Sequence, residues 1–288
     1  MAGEDLKKPK GPAKPPQPGL RIGTKTTEVK APSLVPRWGA ESLKKDEPKQ
    51  SPKRLSTFAA KPAAKETGAS AGLASDRTRA RMVERLATQG IRHTGVLSAM
   101  REIPRHQFVD EALASRAYED SALPIGHQQT ISQPFVVARV IELALSLVQP
   151  TDPVRPLSAL EVGCGCGYQA AVMARCFGRV VSVERIKALA DLARANLRSL
   201  RLSNLKLIYG DGLVAAAADG PFDVILMSAG MPTIPQELVG QLAVGGVLVA
   251  PIGAPEQRLV AVQRLTDTEF KTQAFDLVRY VPVIRGTE

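Results

Sequence analysis

The stretch Leu160-Glu161-Val162-Gly163-Cys164-Gly165-Cys166-Gly167-Tyr168 decides the fold. The stretch 158–162 reads as a short buried strand. It enters three alternating glycines and leaves into a helix that continues through Met173 to Cys176. Without a Cβ, glycine lets the backbone turn tightly and lets a ligand approach it closely. A plain strand-to-helix turn does not call for three glycines in five residues, so the spacing marks a binding loop. Dinucleotide sites use G-x-G-x-x-G, whose third glycine allows close helix packing. Here that place is the bulky Tyr168, which disfavours a dehydrogenase.

Working outward, strands and helices alternate. Further strands are predicted at 180–184, 205–209, 223–227 and 247–251, with a helix over 186–202 and helical stretches between the later strands. Residues 258–265 and 271–283 read as two closing strands with no helix between them. This pattern predicts an α/β, Rossmann-like, doubly wound and mostly parallel seven-stranded sheet with an antiparallel C-terminal hairpin. Upstream, Met82, Val83, Leu86 and Ile91 recur at near-helical spacing, as do Val96, Leu97 and Met100 before Pro104. A polar loop follows over 123–133, and Pro134 opens a long helix carrying Val136, Val137, Val140, Ile141, Leu145 and Val148.

The chain has 288 residues and a net charge of +10, but the charge is uneven. Residues 1–75 hold 15 Lys/Arg against 7 Asp/Glu and 10 of the 22 prolines, whereas the rest holds 23 against 21. Residues 1–75 are therefore expected to form a disordered basic Pro/Lys-rich tail, and 76–288 the folded domain. The tail reads either as a solvated linker or as a tether to RNA or anionic lipid. No run of 18 apolar residues and no N-terminal apolar core is present, so neither a membrane span nor a secretory signal is expected. The three cysteines, Cys164, Cys166 and Cys176, form no disulfide framework, which points to a cytoplasmic protein. Cys164-x-Cys166 is tighter than zinc spacing and has no histidine near it, so no metal is expected. Nothing demands an oligomer, and a monomer is expected.

Glu184 ends the second strand of the alternating region, 21 residues after Gly163, where an acid can accept both hydroxyls of a ribose. The G-x-G-x-G spacing resembles the first motif of class I S-adenosylmethionine-dependent methyltransferases. Three upstream stretches narrow the likeness: Ile103-Pro104-Arg105-His106-Gln107-Phe108-Val109, Ala117-Tyr118-Glu119-Asp120, and Leu123-Pro124-Ile125-Gly126-His127-Gln128-Gln129-Thr130-Ile131-Ser132-Gln133-Pro134. Together with Gly167-Tyr168-Gln169-Ala170-Ala171-Val172, Gly210-Asp211-Gly212, Pro221-Phe222-Asp223 and Val281-Pro282, these resemble the protein-L-isoaspartate (D-aspartate) O-methyltransferase family over about residues 79 to 284. Gln128 stands where that family usually has glycine, and Cys164 and Cys166 where threonine or serine is common.

The resemblance implies a repair enzyme that moves a methyl group from S-adenosyl-L-methionine to the free carboxylate of isoaspartyl residues in damaged proteins and peptides. It implies Ser132 as the catalytic residue. For the cofactor it implies Gln129, Thr130, Ile131, Ser132, Glu161, Gly163, Gly165, Gly167, Glu184, Asp211 and Gly212. His127 is a candidate substrate contact. Ser132 or Gln133 also reads as the cap of the helix opened by Pro134, and His93 and His106 read as structural. The alternative is an RNA or DNA methyltransferase with the basic tail as tether. Met227-Ser228-Ala229-Gly230-Met231-Pro232 stands where amino-methylating enzymes of that kind often carry Asn/Asp-Pro-Pro-Tyr/Phe.

Overall fold

The computed structural model describes residues 69–288. The expected tail lies outside the described residues except at its end, where helix α1 (Ala69–Thr88) crosses the expected boundary at residue 75. Helix α2 (Thr94–Glu102) follows, then a hairpin of β1 (Leu123–Gly126) and β2 (Gln129–Ile131), then helix α3 (Pro134–Leu147). The alternating region comprises β3 (Ser158–Val162), α4 (Tyr168–Cys176), β4 (Arg179–Glu184), α5 (Lys187–Leu197) and β5 (Leu205–Tyr209). It continues with β6 (Phe222–Met227), α6 (Gln236–Val239), β7 (Leu242–Ile252), β8 (Gln257–Arg264) and β9 (Phe270–Val278).

The main sheet has seven strands in the order β5-β4-β3-β6-β7-β8-β9. β5 through β7 are parallel, and β7-β8-β9 run antiparallel, as the closing pair of strands predicts. β3 and β6 are buried along their whole length, although each carries a buried acid, Glu161 and Asp223. Alternate residues face opposite cores. Val180 joins the core under α1–α4, while Val181 and Val183 join a smaller core with Leu213, Leu238 and Val239.

Three local expectations are corrected. The loop predicted over 123–133 contains the β1–β2 hairpin, closed at Leu123↔Ile131 and Gly126↔Gln129. Its strands are too short for a period-two signature to emerge. The helices expected after β5 and β6 shrink to single turns, Ala217–Asp219 and α6. The last strand ends at Val278 rather than 283, because Val281 and Val283 leave the hairpin and pair with Gly230 instead.

The upstream signature stretches explain how the fold tolerates Tyr168 in place of a third glycine. The Tyr168 ring is buried with the Arg105 guanidinium 4.8 Å above it and Phe108 edge-on at 5.4 Å. Arg105 Nε donates to Ala117 O at 2.8 Å. Asp120 Oδ1 accepts the Phe135 N–H at 3.2 Å, satisfying an orphan donor in the first turn of α3. These motifs therefore brace the glycine loop and the hairpin against α3.

Candidate active site

β3 is flanked by β4 on one side and β6 on the other, so the chain reverses its direction of travel across the sheet at this strand. Open parallel sheets bind ligands at such a switch point, outside the carboxyl ends of the strands. A cleft of about 950 Å³, counting its open mouth, lies there. Its floor is the glycine loop, its sides are the residues following β4, β5 and β6, and its cover is the β1–β2 hairpin.

Gly163, Gly165 and Gly167 have φ of +93°, +56° and +91°, backbone that side chains rarely adopt. Gly163 and Gly165 line the cleft; Gly167 lies outside the lining, at the N-cap of α4. A Cβ there would stand 3.0 Å from Leu197 Cδ1 and 3.3 Å from Ala193 Cβ, so its smallness serves packing against α5. A Cβ on Gly165 would meet Ile125 Cδ1 of the hairpin at 3.1 Å. The loop and its cover thus approach as closely as glycine permits.

Three acids line the cleft: Glu161, Glu184 and Asp211. Glu184 is buried; its Oε2 accepts the Gly165 N–H at 2.8 Å and its Oε1 the Ile186 N–H at 2.9 Å. This grip fixes the carboxylate against the loop and leaves each oxygen a lone pair for a ligand. Asp211 Oδ1 accepts the Leu213 N–H at 3.0 Å, and its Oδ2 accepts the Gly286 N–H at 2.7 Å. Glu161 is wholly buried, with Oε2 accepting from Ser182 Oγ at 2.5 Å and Oε1 without a partner. Burial pushes the Glu161 carboxyl up to about 8. The Ser182 bond opposes that rise and the neighbouring Glu184 charge adds to it. Glu184 and Asp211, with a Glu161 carboxyl that can ionise beside a cation, outnumber the single lining cation, Arg185, and suit a positively charged ligand.

Of the remaining sequence candidates, Gln129, Thr130, Ile131, Ser132 and Gly212 all line the cleft. Gly212 packs on the central strand, where an added Cβ would lie 2.5 Å from Val162 Cγ1. Ser132 sits where the hairpin leaves the cleft for α3. The residue at the N-cap of that helix is Gln133, and its side chain makes no capping bond, so the capping reading gives way to the Asp120 contact. His127 lies outside the lining, exposed at the hairpin tip. It and Gln128 both have positive φ, 51° and 56°, the geometry of a two-residue primed turn. Gln128 is therefore strained where glycine is free. Gln128→Gly is expected to raise unfolding stability by about 1 kcal/mol, read by chemical denaturation; a loss of stability would mean the glutamine side chain makes up for the strain.

His93 and His106 also lie away from the cleft. His93 Nδ1 accepts from Val96 N at the start of α2, and His106 Nδ1 is 2.8 Å from Ser75 Oγ and 2.7 Å from Tyr118 Oη. Burial raises the Cys164 and Cys166 thiols, the latter to about 11, keeping both neutral. Sequence reasoning missed Ile125, Gln169, Ser228 and the segment 281–284 as lining residues. Gln169 Nε2 donates to Ser228 Oγ at 2.9 Å, tying α4 to the end of β6. Val281-Pro282 carried only a likeness, because the sequence reading keeps 281–283 inside the last strand.

A sequence model of the protein-L-isoaspartate(D-aspartate) O-methyltransferase family matches residues 77–288. The protein-L-isoaspartate O-methyltransferase of Bordetella petrii is 52% identical over 222 residues, covering 77% of this chain and 80% of that one. The Aromatoleum aromaticum enzyme of the same name is 52% identical over 218 residues, covering 75% and 96%. Among solved structures, a protein-L-isoaspartate O-methyltransferase superposes with a TM-score of 0.63 at 28% identity, covering 71% of this chain and 65% of that one. A Plasmodium falciparum structure described in the same terms, in complex with S-adenosyl-L-homocysteine, gives 0.62 at 24% identity, covering 71% and 97%, and speaks to the fold. The family match over residues 77–288 and these relatives agree: the chain belongs to the protein-L-isoaspartate(D-aspartate) O-methyltransferase family.

Proposed function

We infer that this chain is a protein-repair methyltransferase that esterifies the free carboxylate of L-isoaspartyl and D-aspartyl residues in damaged proteins and peptides. The observation that carries the reading is the acid-lined cleft over the glycine loop, roofed by the Thr130-Ile131-Ser132-Gln133-Pro134 segment. When bound, S-adenosyl-L-methionine supplies an electrophilic methyl group on a sulfonium. The residues present fit it: a loop without Cβ atoms, an orphaned buried carboxyl oxygen on Glu161 and a fixed carboxylate at Glu184.

In this reading Glu184 accepts the ribose hydroxyls, and Asp211 with Gly212 frames the adenine. Gln129, Thr130, Ile131 and Ser132 close over the cofactor, and Gly163 and Gly165 floor its site. The unpartnered Glu161 oxygen would offer a counter-charge to its sulfonium. The attacking group is a carboxylate with a pKa of about 4, already ionised at neutral pH, so no general base is needed. That fits a cleft whose lining holds no histidine. What the protein must supply is alignment of oxygen, methyl carbon and sulfur in a site that excludes water. Ser132, at the mouth, donates its hydroxyl to the substrate carboxylate; His127 at the hairpin tip is placed to touch the peptide beyond it.

Ser132→Ala is expected to lower kcat on an isoaspartyl peptide about tenfold or more, the worth of a hydrogen bond to a charged group. Circular dichroism should be unchanged, since Ser132 does not cap α3. Unchanged turnover would remove Ser132 from the reaction. A cytoplasmic monomer is part of the same proposal. The free cysteines support the location; among the described residues no helix is long and apolar enough to cross a membrane. The nucleic-acid alternative would draw on the basic residues of 1–68, which lie outside the described residues.

A further inference from the structure

Beyond β9 the chain does not trail into solvent. Val281 O accepts the Gly230 N–H, and Val283 N–H donates to Gly230 O, both at 2.8 Å, which brings 281–284 along the cleft wall. The residues that follow then cross its far end. Gly286, at φ +77°, donates its N–H to Asp211 Oδ2 at 2.7 Å, and its carbonyl accepts from Arg185 Nε at 3.2 Å. Glu288 N–H donates to Arg185 O at 2.9 Å, and Glu288 O accepts from Lys187 N at 2.8 Å and Tyr209 Oη at 3.3 Å. Arg185 Nη1 lies 3.1 Å from Glu288 Oε2, and Arg285 Nη2 lies 2.7 Å from Glu237 Oε1.

We propose that residues 284–288 form a strap that retains the nucleoside end of the cofactor, with Ile284 as a wall of its site and Gly286 as a positioning residue acting through Asp211. The inference rests on the methyltransferase reading above and deepens it. Three observations carry it. First, the strap lands on the residues that follow β4 and β5, next to Glu184 and on Asp211. Second, Asp211 is clamped from two sides, by Leu213 N–H within its own turn and by Gly286 N–H from 75 residues away. Without the second bond only the Leu213 N–H holds its carboxylate. Third, the strap is held by polar contacts at exposed positions, and Ile284 keeps 55% of its surface exposed while lining the cleft. Segments with few buried apolar contacts open at low free-energy cost. Such a strap can release to admit the cofactor and re-form over it.

The test uses the full-length chain carrying Gly286→Pro, which removes the N–H and cannot adopt positive φ, and a second variant ending after Ile284. Binding of S-adenosylmethionine and S-adenosylhomocysteine is measured by calorimetry, and release of labelled cofactor by rapid filtration. Both variants are expected to bind about tenfold more weakly and to release the cofactor faster in proportion. The KM for an isoaspartyl peptide and kcat at saturating cofactor should stay within about twofold, with little change in thermal midpoint. Equal affinities and release rates in variant and wild type would overturn the strap. So would a kcat loss that tracks a loss of thermal stability, since that marks a structural role. Failure of the wild type itself to bind either compound would strike the methyltransferase reading instead, so the two failures are distinguishable.

Discussion

Glu161→Gln is expected to flatten a steep pH dependence of cofactor binding. In the wild type the Glu161 carboxyl is wholly buried, carries an unpartnered oxygen and is raised to about 8, chiefly by burial. A cationic ligand above it favours the ionised form, so binding near neutral pH must expel a proton. Affinity for S-adenosylmethionine should therefore rise with pH up to about 8, by as much as tenfold per unit, and level off above it. Calorimetry in buffers of different ionisation enthalpy should register close to one proton released at pH 7. The glutamine variant should release none and bind with a flat profile.

The same group sets a sign for stability. Its folded pKa, about 8, lies above the unfolded carboxyl value, so the folded state holds the extra proton between roughly pH 4.5 and 8. Stability from this site is then fully present below that window and is lost as pH rises through it, by a few kcal/mol in all. Glu161→Gln should remove that slope from the ligand-free protein. An unaltered slope in the variant would mean that another group titrates there.

The second large effect separates two glycines that look alike in the sequence. Gly165→Val places a branched side chain on positive-φ backbone, inside the cleft and against Ile125. It is expected to weaken cofactor binding about a hundredfold or more, because the side chain occupies ligand space and disturbs the N–H held by Glu184. Gly167→Val meets Leu197 and Ala193 instead, behind the loop. It should cost about 2–4 kcal/mol of unfolding stability from strain and overpacking. The fraction that stays folded should bind the cofactor with an affinity close to wild type. If both variants lost affinity equally at equal stability, the division between binding and packing glycines would not stand.

That pair shows where a sequence reading reaches and where it stops. The glycine loop, β3 and Glu184 were legible because a buried strand, a glycine spacing and an acid at the next strand end are all local signals. The alternating order gave the sheet and its closing hairpin for the same reason. Helix α1 was entered late, since Ala69 to Ser75 has the small-residue composition of the tail and no apolar stripe. The helix expected after β6 is only the one-turn α6, because burying its Leu238 and Val239 needs no longer helix. Least legible was the far end of the cleft. Gly230 pairing with Val281, and Asp211 bonding Gly286, join segments 51 and 75 residues apart, and no periodicity within either segment announces the other. Asp120 capping α3 is a further case: the acid lies 15 residues from the N–H it serves.

The most direct measurement is methyl transfer from labelled S-adenosylmethionine to two peptides that differ only in one residue, isoaspartate in the first and aspartate in the second. Base-labile label on the isoaspartyl peptide alone is the expected result, with the aspartyl peptide at background. Equal labelling of both, or of neither while the cofactor still binds, would contradict carboxyl repair as the function of this cleft.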